Sequence, residues 1–366
     1  MKVSCNFEGG RIEVQELGAH GATLTIPHDV GAPRFRQWFA FDVSGPPGTP
    51  FELFIHNAHE CTWGDAFGGA YKVFASDGRA WRRLDSSLAG GKLIIRGTHA
   101  AQRLRLCYYP PYPTQRLSAL RRRIRMAGGA VRLLGKTQAG RAIECLQLGK
   151  QERPVWVIAQ QHPGEAMAGW FVEGLVEFLT GGGAAAGALL ETVGFAIIPR
   201  MNPDGAAVGN HRTTPQGLDL NRKWAHEAAP VEVSVARAAM IESGARFFLD
   251  VHGDERLPWV FAQPPDGLPP LAVRNQVDAF QAEMLRLTPD YQTKHRYPYD
   301  PRGTPSLAFA TNWVHNQFGI PALTLELPFS DHLGRPDPRG FFPARARRLG
   351  ARVARGLGVA LLPQQG

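Results

Sequence analysis

Residues 155–165 read Val155-Trp156-Val157-Ile158-Ala159-Gln160-Gln161-His162-Pro163-Gly164-Glu165. The apolar run is short and stops at a Pro-Gly pair, which reads as a buried strand ending in a tight turn. An apolar-faced helical stretch follows over 166–179, and short apolar runs return at 195–198, 247–251 and 322–325. An Arg/Ala/Leu-rich helix is expected over 343–362. Strands alternating with helices imply a doubly wound α/β domain, in which ligands bind beyond the carboxyl ends of the strands. The polar residues of interest stand just past those ends.

Toward the amino terminus the pattern changes at about residue 130. The first third reads as short strands at 11–17, 22–27, 37–43, 51–56, 71–75, 92–96 and 103–108. Alternation is clearest in Phe39, Phe41 and Val43 and in Leu104 and Leu106, with turns at Gly45-Pro46-Pro47-Gly48 and Asp77-Gly78. This is the pattern of an antiparallel β-sandwich. The proline-rich join Tyr109-Pro110-Pro111-Tyr112-Pro113 closes it, so we expect a sandwich domain over 1–115 and an α/β domain over 116–366. The stretch 181–187 is expected to be a small Gly/Ala loop.

The composition, 44% hydrophobic and 20% charged over 366 residues, suits a globular chain with two cores. Residues 1–30 contain no continuous apolar segment of the export type, and no later apolar run reaches membrane-spanning length. Cys5, Cys61, Cys107 and Cys145 are scattered without C-x-x-C spacing and read as reduced thiols, giving the expectation of a cytoplasmic protein without a membrane partner. The net charge of +9 is compatible with an anionic partner or substrate. The densest basic run, 116–125, carries Leu117, Leu120 and Ile124 at helical spacing, as a solvated amphipathic helix would. No zinc-finger, helix-turn-helix or RNP-like pattern accompanies it, and no nucleic-acid partner is expected.

Past the first strand stand His162 and Glu165; past the 247–251 strand stands His252. Two imidazoles and a carboxylate delivered from neighbouring strand ends leave one coordination position open, which a hydrolytic zinc needs. Such an ion polarises a carbonyl and lowers the pKa of a bound water toward about 7. A lone H-x-x-E is a weak signal, and a strand-end histidine is often only hydrogen-bonded. Asp250 either orients His252 from the same strand face or satisfies loop amides.

Between these ligands lie Arg200-Met201-Asn202-Pro203-Asp204-Gly205, read as a strand-ending turn, then Asn210-His211-Arg212, then Asp219-Leu220-Asn221-Arg222-Lys223-Trp224. Arg212, Asn221 and Arg222, with Arg200 as a further candidate, are thereby concentrated near the metal candidates. Guanidinium groups grip carboxylates in bidentate fashion and stabilise developing oxyanions. Alternatively, some of them pair with Asp204 and Asp219 as scaffold.

Together these segments resemble the zinc carboxypeptidase family, and specifically its cytosolic carboxypeptidase branch. The resemblance rests on His162-Pro163-Gly164-Glu165, Asn202-Pro203-Asp204-Gly205, Asn210-x-Arg212, Asp219-Leu220-Asn221-Arg222-x-Trp224 and Asp250-x-His252-Gly253, in that order. Leu133-x-Gly135-Lys136-Thr137-x-x-Gly140-Arg141 and the aromatic-proline join are also similar to that branch, so nearly the whole chain is covered. The resemblance implies a mixed central sheet and one Zn²⁺ per chain held by His162, Glu165 and His252. It likewise implies that Glu326, in Thr324-Leu325-Glu326-Leu327, is the general base, an assignment that suits a carboxylate interrupting an apolar strand.

The implied reaction removes the last residue of a peptide or protein tail. Asn221 and Arg222 would hold the terminal carboxylate, Arg212 would stabilise the oxyanion, and Glu326 would shuttle the proton. Two departures stand out. No tyrosine occupies 303–310, where the family often has a mobile one, leaving Tyr297 and Tyr299 as the nearest substitutes; and Asp254 replaces a histidine usual in the branch. For specificity, an acidic terminal residue is expected to meet Arg302, with Lys294 and Arg296 upstream, while Thr311 falls at the pocket floor. An amidohydrolase for an acyl-amino acid or cell-wall peptide is the alternative enzyme. A noncatalytic binding protein is the alternative class, against which stand the intact candidates for ligands, clamp and base.

Overall fold

The structure, a computed structural model, describes residues 1–361; Leu362, given above as the end of the last helix, lies outside the described residues. Ten strands build the amino-terminal part: β1 (Lys2–Ser4), β2 (Glu13–Leu17), β3 (Gly21–Thr25), β4 (Ala40–Ser44), β5 (Pro50–Ile55), β6 (Phe74–Ser76), β7 (Trp81–Arg83), β8 (Asp85–Ala89), β9 (Lys92–Thr98) and β10 (Arg103–Cys107). They form two five-stranded sheets, β1-β4-β10-β6-β7 and β2-β3-β5-β9-β8. Phe39, Phe41, Leu53, Ile95, Leu104 and Leu106 are fully buried between them, the inward half of each alternation. Pairing is antiparallel except between β3 and β5, which run parallel, a departure from the expected antiparallel sandwich. Strands β1, β7 and β8 have no clear apolar alternation and were not legible.

Helix α1 (Thr114–Met126) follows the proline join and buries Leu120 and Ile124 while Arg122, Arg123 and Arg125 face outward. The remaining chain forms β11 (Ala130–Lys136), β12 (Ala142–Leu148), β13 (Val155–Ala159), α2 (Met167–Leu179), α3 (Ala184–Thr192), β14 (Phe195–Ile198), α4 (Pro203–Val208), α5 (Val231–Ser243), β15 (Phe247–Asp254), β16 (Phe261–Gln263), α6 (Leu271–Leu287), α7 (Ala310–Phe318), β17 (Ala322–Pro328) and α8 (Pro343–Leu361). The seven-stranded sheet runs β11-β12-β14-β13-β15-β17-β16. Its four central strands are parallel, and β11, β12 and β16 add antiparallel edges. Every residue of β13 and β15 is buried, as central parallel strands covered on both faces require.

Helices α2 and α8 cover one face of this sheet. They cross closely because Gly174 faces α8 backbone, where a Cβ would lie 1.8 Å from the Arg347 carbonyl oxygen. Trp224, Met240, Trp313 and Val314 pack on the opposite face. Part of the stretch expected as a Gly/Ala loop is instead helical: α3 begins at Ala184, where three alanines favour helix over coil. The turn at Asn202-Pro203 also does more than end a strand. Asn202 caps α4 by accepting from the Gly205 amide at 2.9 Å, with Pro203 at the first helical position.

Candidate metal centre and active site

Strand register assembles the site. Asp250, His252 and Asp254 alternate along β15 onto one face, and the parallel β15–β17 pairing sets His252 beside Glu326. From the end of β13, Gln160 takes a left-handed φ of 52° and turns the chain toward His162. Gly164 is needed there, since a Cβ would lie 2.4 Å from Nδ1 of His211. His162, Glu165 and His252 then converge, each 2% exposed, with their ligand atoms within 4.8 Å of one another.

The outer face of each imidazole is held by a carboxylate. His162 Nε2 lies 3.1 Å from Asp219 Oδ1, and His252 Nε2 lies 2.8 Å from Asp250 Oδ2. An outer N–H donated to each carboxylate leaves the two Nδ1 lone pairs pointing inward at Glu165, the donor set and orientation that a zinc ion fits. Two facing lone pairs and a carboxylate are mutually repulsive without a cation between them. Positive charge on the cluster serves the same purpose: although burial opposes it, the charged forms of His162 and His252 hold the Glu165 carboxyl well below the usual range. Burial likewise opposes the rise of His252, which Asp250 and Glu165 lift well above its ordinary value. Asp250 thus takes the orienting alternative; Gln161 donates to the same oxygen at 2.7 Å and receives the Trp224 indole N–H at 2.8 Å.

Glu326 is buried, with its Oε1 receiving the Tyr297 hydroxyl at 3.1 Å and its Oε2 without a partner among the described residues. Burial pushes its carboxyl well above the usual range; His252 opposes, and Asp254 and Glu165 add to the rise. The single proton of this Tyr297 hydroxyl is shared with Asp254 Oδ2. Of the two substitute tyrosines, Tyr297 therefore stands beside Glu326, whereas Tyr299 turns away to donate to the Gly267 carbonyl at 2.5 Å.

One cleft of about 670 Å³ holds His162, Glu165, His252 and Glu326 together with Arg212, Asn221, Arg222 and Thr311. Arg212 donates through Nε to Asp219 Oδ2 at 2.9 Å, so the carboxylate that orients His162 also positions this guanidinium. His162, Arg212 and Arg222 hold Asp219 well below the usual range despite its burial. Asn221 accepts from the Ala310 amide at 2.9 Å and turns its side-chain nitrogen to within 3.4 Å of His252 Nε2. Arg222 is exposed to the cleft, with its guanidinium 4.2 Å from the centre of the Phe309 ring. Thr311 meets Thr324 hydroxyl to hydroxyl at 2.7 Å on the cleft wall.

Two of the basic residues named from the sequence lie away from the cleft lining. Arg302 does not reach the cleft: it lies exposed in a turn where its amide donates to Asp300 Oδ1, and Arg296 is the basic residue of that segment on the cleft wall. Arg200 is turned away from the metal candidates, because its buried guanidinium bonds Gln160, Thr114, Glu8 and the Tyr112 carbonyl. The scaffold pairing expected for Asp204 falls to Arg141, Thr137 and the Ala139 amide. The amino-terminal part also contributes Trp63 to the cleft, a residue that no motif marked.

Residues 3–109 match the model of the cytosolic carboxypeptidase N-terminal domain, and residues 127–259 that of zinc carboxypeptidase. A metallo-carboxypeptidase from Burkholderia cenocepacia is 34% identical and superposes with a TM-score of 0.93 over 98% of each chain. A metallo-carboxypeptidase from Pseudomonas aeruginosa, solved with (2-guanidinoethylmercapto)succinic acid, is 35% identical, with a TM-score of 0.92 over 98% of each chain. Human cytosolic carboxypeptidase 1 is 24% identical over 71% of this chain, which spans only 26% of that longer protein. Agreement of both halves with carboxypeptidases over nearly their whole length, around a convergent His-Glu-His cluster, decides the assignment: the chain belongs to the zinc carboxypeptidase family, in the branch of the cytosolic carboxypeptidases, and is a metal-dependent peptide hydrolase.

Proposed function

We propose that the enzyme removes the C-terminal residue of a peptide or protein tail, with His162, Glu165 and His252 holding one zinc ion. The observation that carries this reading is the single cleft containing that cluster, the buried Glu326 and the exposed guanidinium of Arg222. A zinc ion held there would supply carbonyl polarisation and an activated water. Arg222, supported by Asn221, binds the terminal carboxylate and excludes chains that lack one. Glu326 takes the proton of the attacking water at its unpartnered Oε2 and passes it to the departing amine nitrogen. Tyr297 steadies Glu326 through Oε1, and Arg212 is poised to bind the oxyanion.

For the terminal side chain, an acidic residue facing Arg296 is the reading we favour, with Arg296 taking the role first expected of Arg302. A basic residue is the second reading. Asp266 lines the same cleft, and the similar Pseudomonas protein was solved with a compound carrying a guanidino group. The test is kcat/KM for matched peptides ending in Glu, Ala, Leu and Lys. Preference for Glu, lost in Arg296→Ala, is the expected result; preference for Lys would transfer the role to Asp266 and overturn the acidic reading.

A further inference from the structure

The amino-terminal sandwich contributes one large side chain to the catalytic cleft, and its mounting is unusually firm for a loop residue. Trp63 precedes the short 3-10 turn Gly64–Phe67 and is half-buried. Its backbone is gripped in both directions by one side chain: the Trp63 amide donates to Gln37 Oε1 at 3.0 Å, and Gln37 Nε2 donates to the Trp63 carbonyl at 3.2 Å. Gln37 is itself fully buried and reaches the Tyr108 hydroxyl. From the other domain the indole is backed by the His211 ring, 5.3 Å away, and by the Arg212 guanidinium, 5.7 Å from the ring centre. His211 is fixed in turn by Glu255 at 2.6 Å, with both groups buried.

The position of Trp63 along the cleft follows from the ties already described. Arg222 leans on Phe309, and Asn221 beside it reaches His252. Arg212 is tied through Asp219 to the other imidazole, His162. A peptide with its carboxylate on Arg222 and its scissile carbonyl at the His-Glu-His cluster would continue past Arg212, whose guanidinium lies 5.7 Å from the indole on the same cleft. Beside it, Arg256 lines the cleft and grips Asp65 with Nε and Nη2 at 3.0 and 3.1 Å, joining the two domains at the rim.

We infer that the sandwich domain builds the subsite for the residue on the amino side of the scissile bond, with Trp63 as a platform for an aromatic or long apolar side chain. This rests on the reading that Arg222 takes the terminal carboxylate. An indole held rigid before binding loses little freedom when a second ring settles on it, so the contact is retained as affinity.

The test uses the zinc-loaded full-length enzyme and blocked dipeptides that share one C-terminal residue and carry either Phe or Gly before it. Wild type is expected to favour Phe about 10-fold in kcat/KM, chiefly through KM. Trp63→Ala should collapse the Phe/Gly ratio toward one, and Trp63→Phe should retain most of it, with zinc content and Tm recorded for each. A ratio that survives in Trp63→Ala, or that is absent in wild type, overturns the subsite, since a purely structural loss slows both substrates alike. The Phe dipeptide with an amidated terminus should resist wild type. Its hydrolysis would overturn the carboxylate clamp instead, a result separable from the ratio.

Discussion

The Nδ1 atoms of His162 and His252 face one another 3.1 Å apart, with Glu165 oxygens 2.6 Å from the first and 2.8 Å from the second. Such a cluster is held together by a cation, so the purified chain should carry about one zinc, and a chelator should lower its Tm. Zinc analysis of His252→Ala and Glu165→Ala should find the metal lost. Full zinc occupancy in either variant would remove these residues from the ligand set.

Glu326→Gln keeps the shape of the side chain and removes the proton acceptor. Turnover should fall by about 10² to 10⁴ while zinc content is unchanged. Tyr297→Phe removes only the hydroxyl shared between Glu326 and Asp254. A hydrogen bond to a charged group is worth about 1.5–3 kcal/mol, so kcat should drop by about 10-fold or more with little change in KM. A rise in KM at constant kcat would make Tyr297 a binding group and not a support for the base.

Arg222→Met should separate clamp from chemistry. Leaving the substrate carboxylate unpaired costs about 2–5 kcal/mol, a fall in kcat/KM of roughly 30-fold or more. The residual activity should no longer distinguish free from amidated peptides. Retained discrimination would shift the clamp to another residue.

Away from the cleft, Arg345 on α8 grips Asp290 with Nε at 3.0 Å and Nη2 at 2.8 Å, both residues being buried. Arg345→Met strands the carboxylate and should destabilise by about 3 kcal/mol at neutral pH, read by urea unfolding. Burial opposes the shift, but the Arg345 hydrogen bonds hold the Asp290 carboxyl below its ordinary value. The folded pKa therefore lies below the unfolded one of about 3.9: the contribution is complete above that value and disappears as pH falls through the folded pKa. The advantage of wild type over the variant should shrink on acidification below about pH 4. A constant difference between pH 7 and pH 3 would deny the pair that role.

The cluster His162, Glu165 and His252 was legible because each residue lies near the carboxyl end of a buried parallel strand, and such ends gather at one edge of the sheet. Glu326 was marked by the family resemblance and by being a charge inside an apolar run, and β17 sets it beside His252. Nothing in a loop sequence says which side chain turns inward: Arg302 lies exposed, and Arg296, six residues earlier, lies on the cleft wall. Strands β7 and β8 escaped because their sequences, Trp81–Arg83 and Asp85–Ala89, alternate too little to mark a buried face. Trp63 could not have been found, since its role depends on two parts of the chain meeting and lies outside any local pattern.

The loop that carries Arg212 is held by both halves of the molecule, not by its own alone. Asp29, from the sandwich, receives the amides of His211, Arg212 and Thr213 at 2.7, 2.8 and 3.0 Å, and Val30 is bonded in both directions to the Asn210 side chain. Cutting the chain at its proline-rich join would strip three consecutive amides of their acceptor and release the arginine they position. Residues 116–366 expressed alone could retain a sheet and a metal cluster and still be a poor enzyme. The first half therefore completes the second, supplying acceptors for a loop that carries a cleft residue.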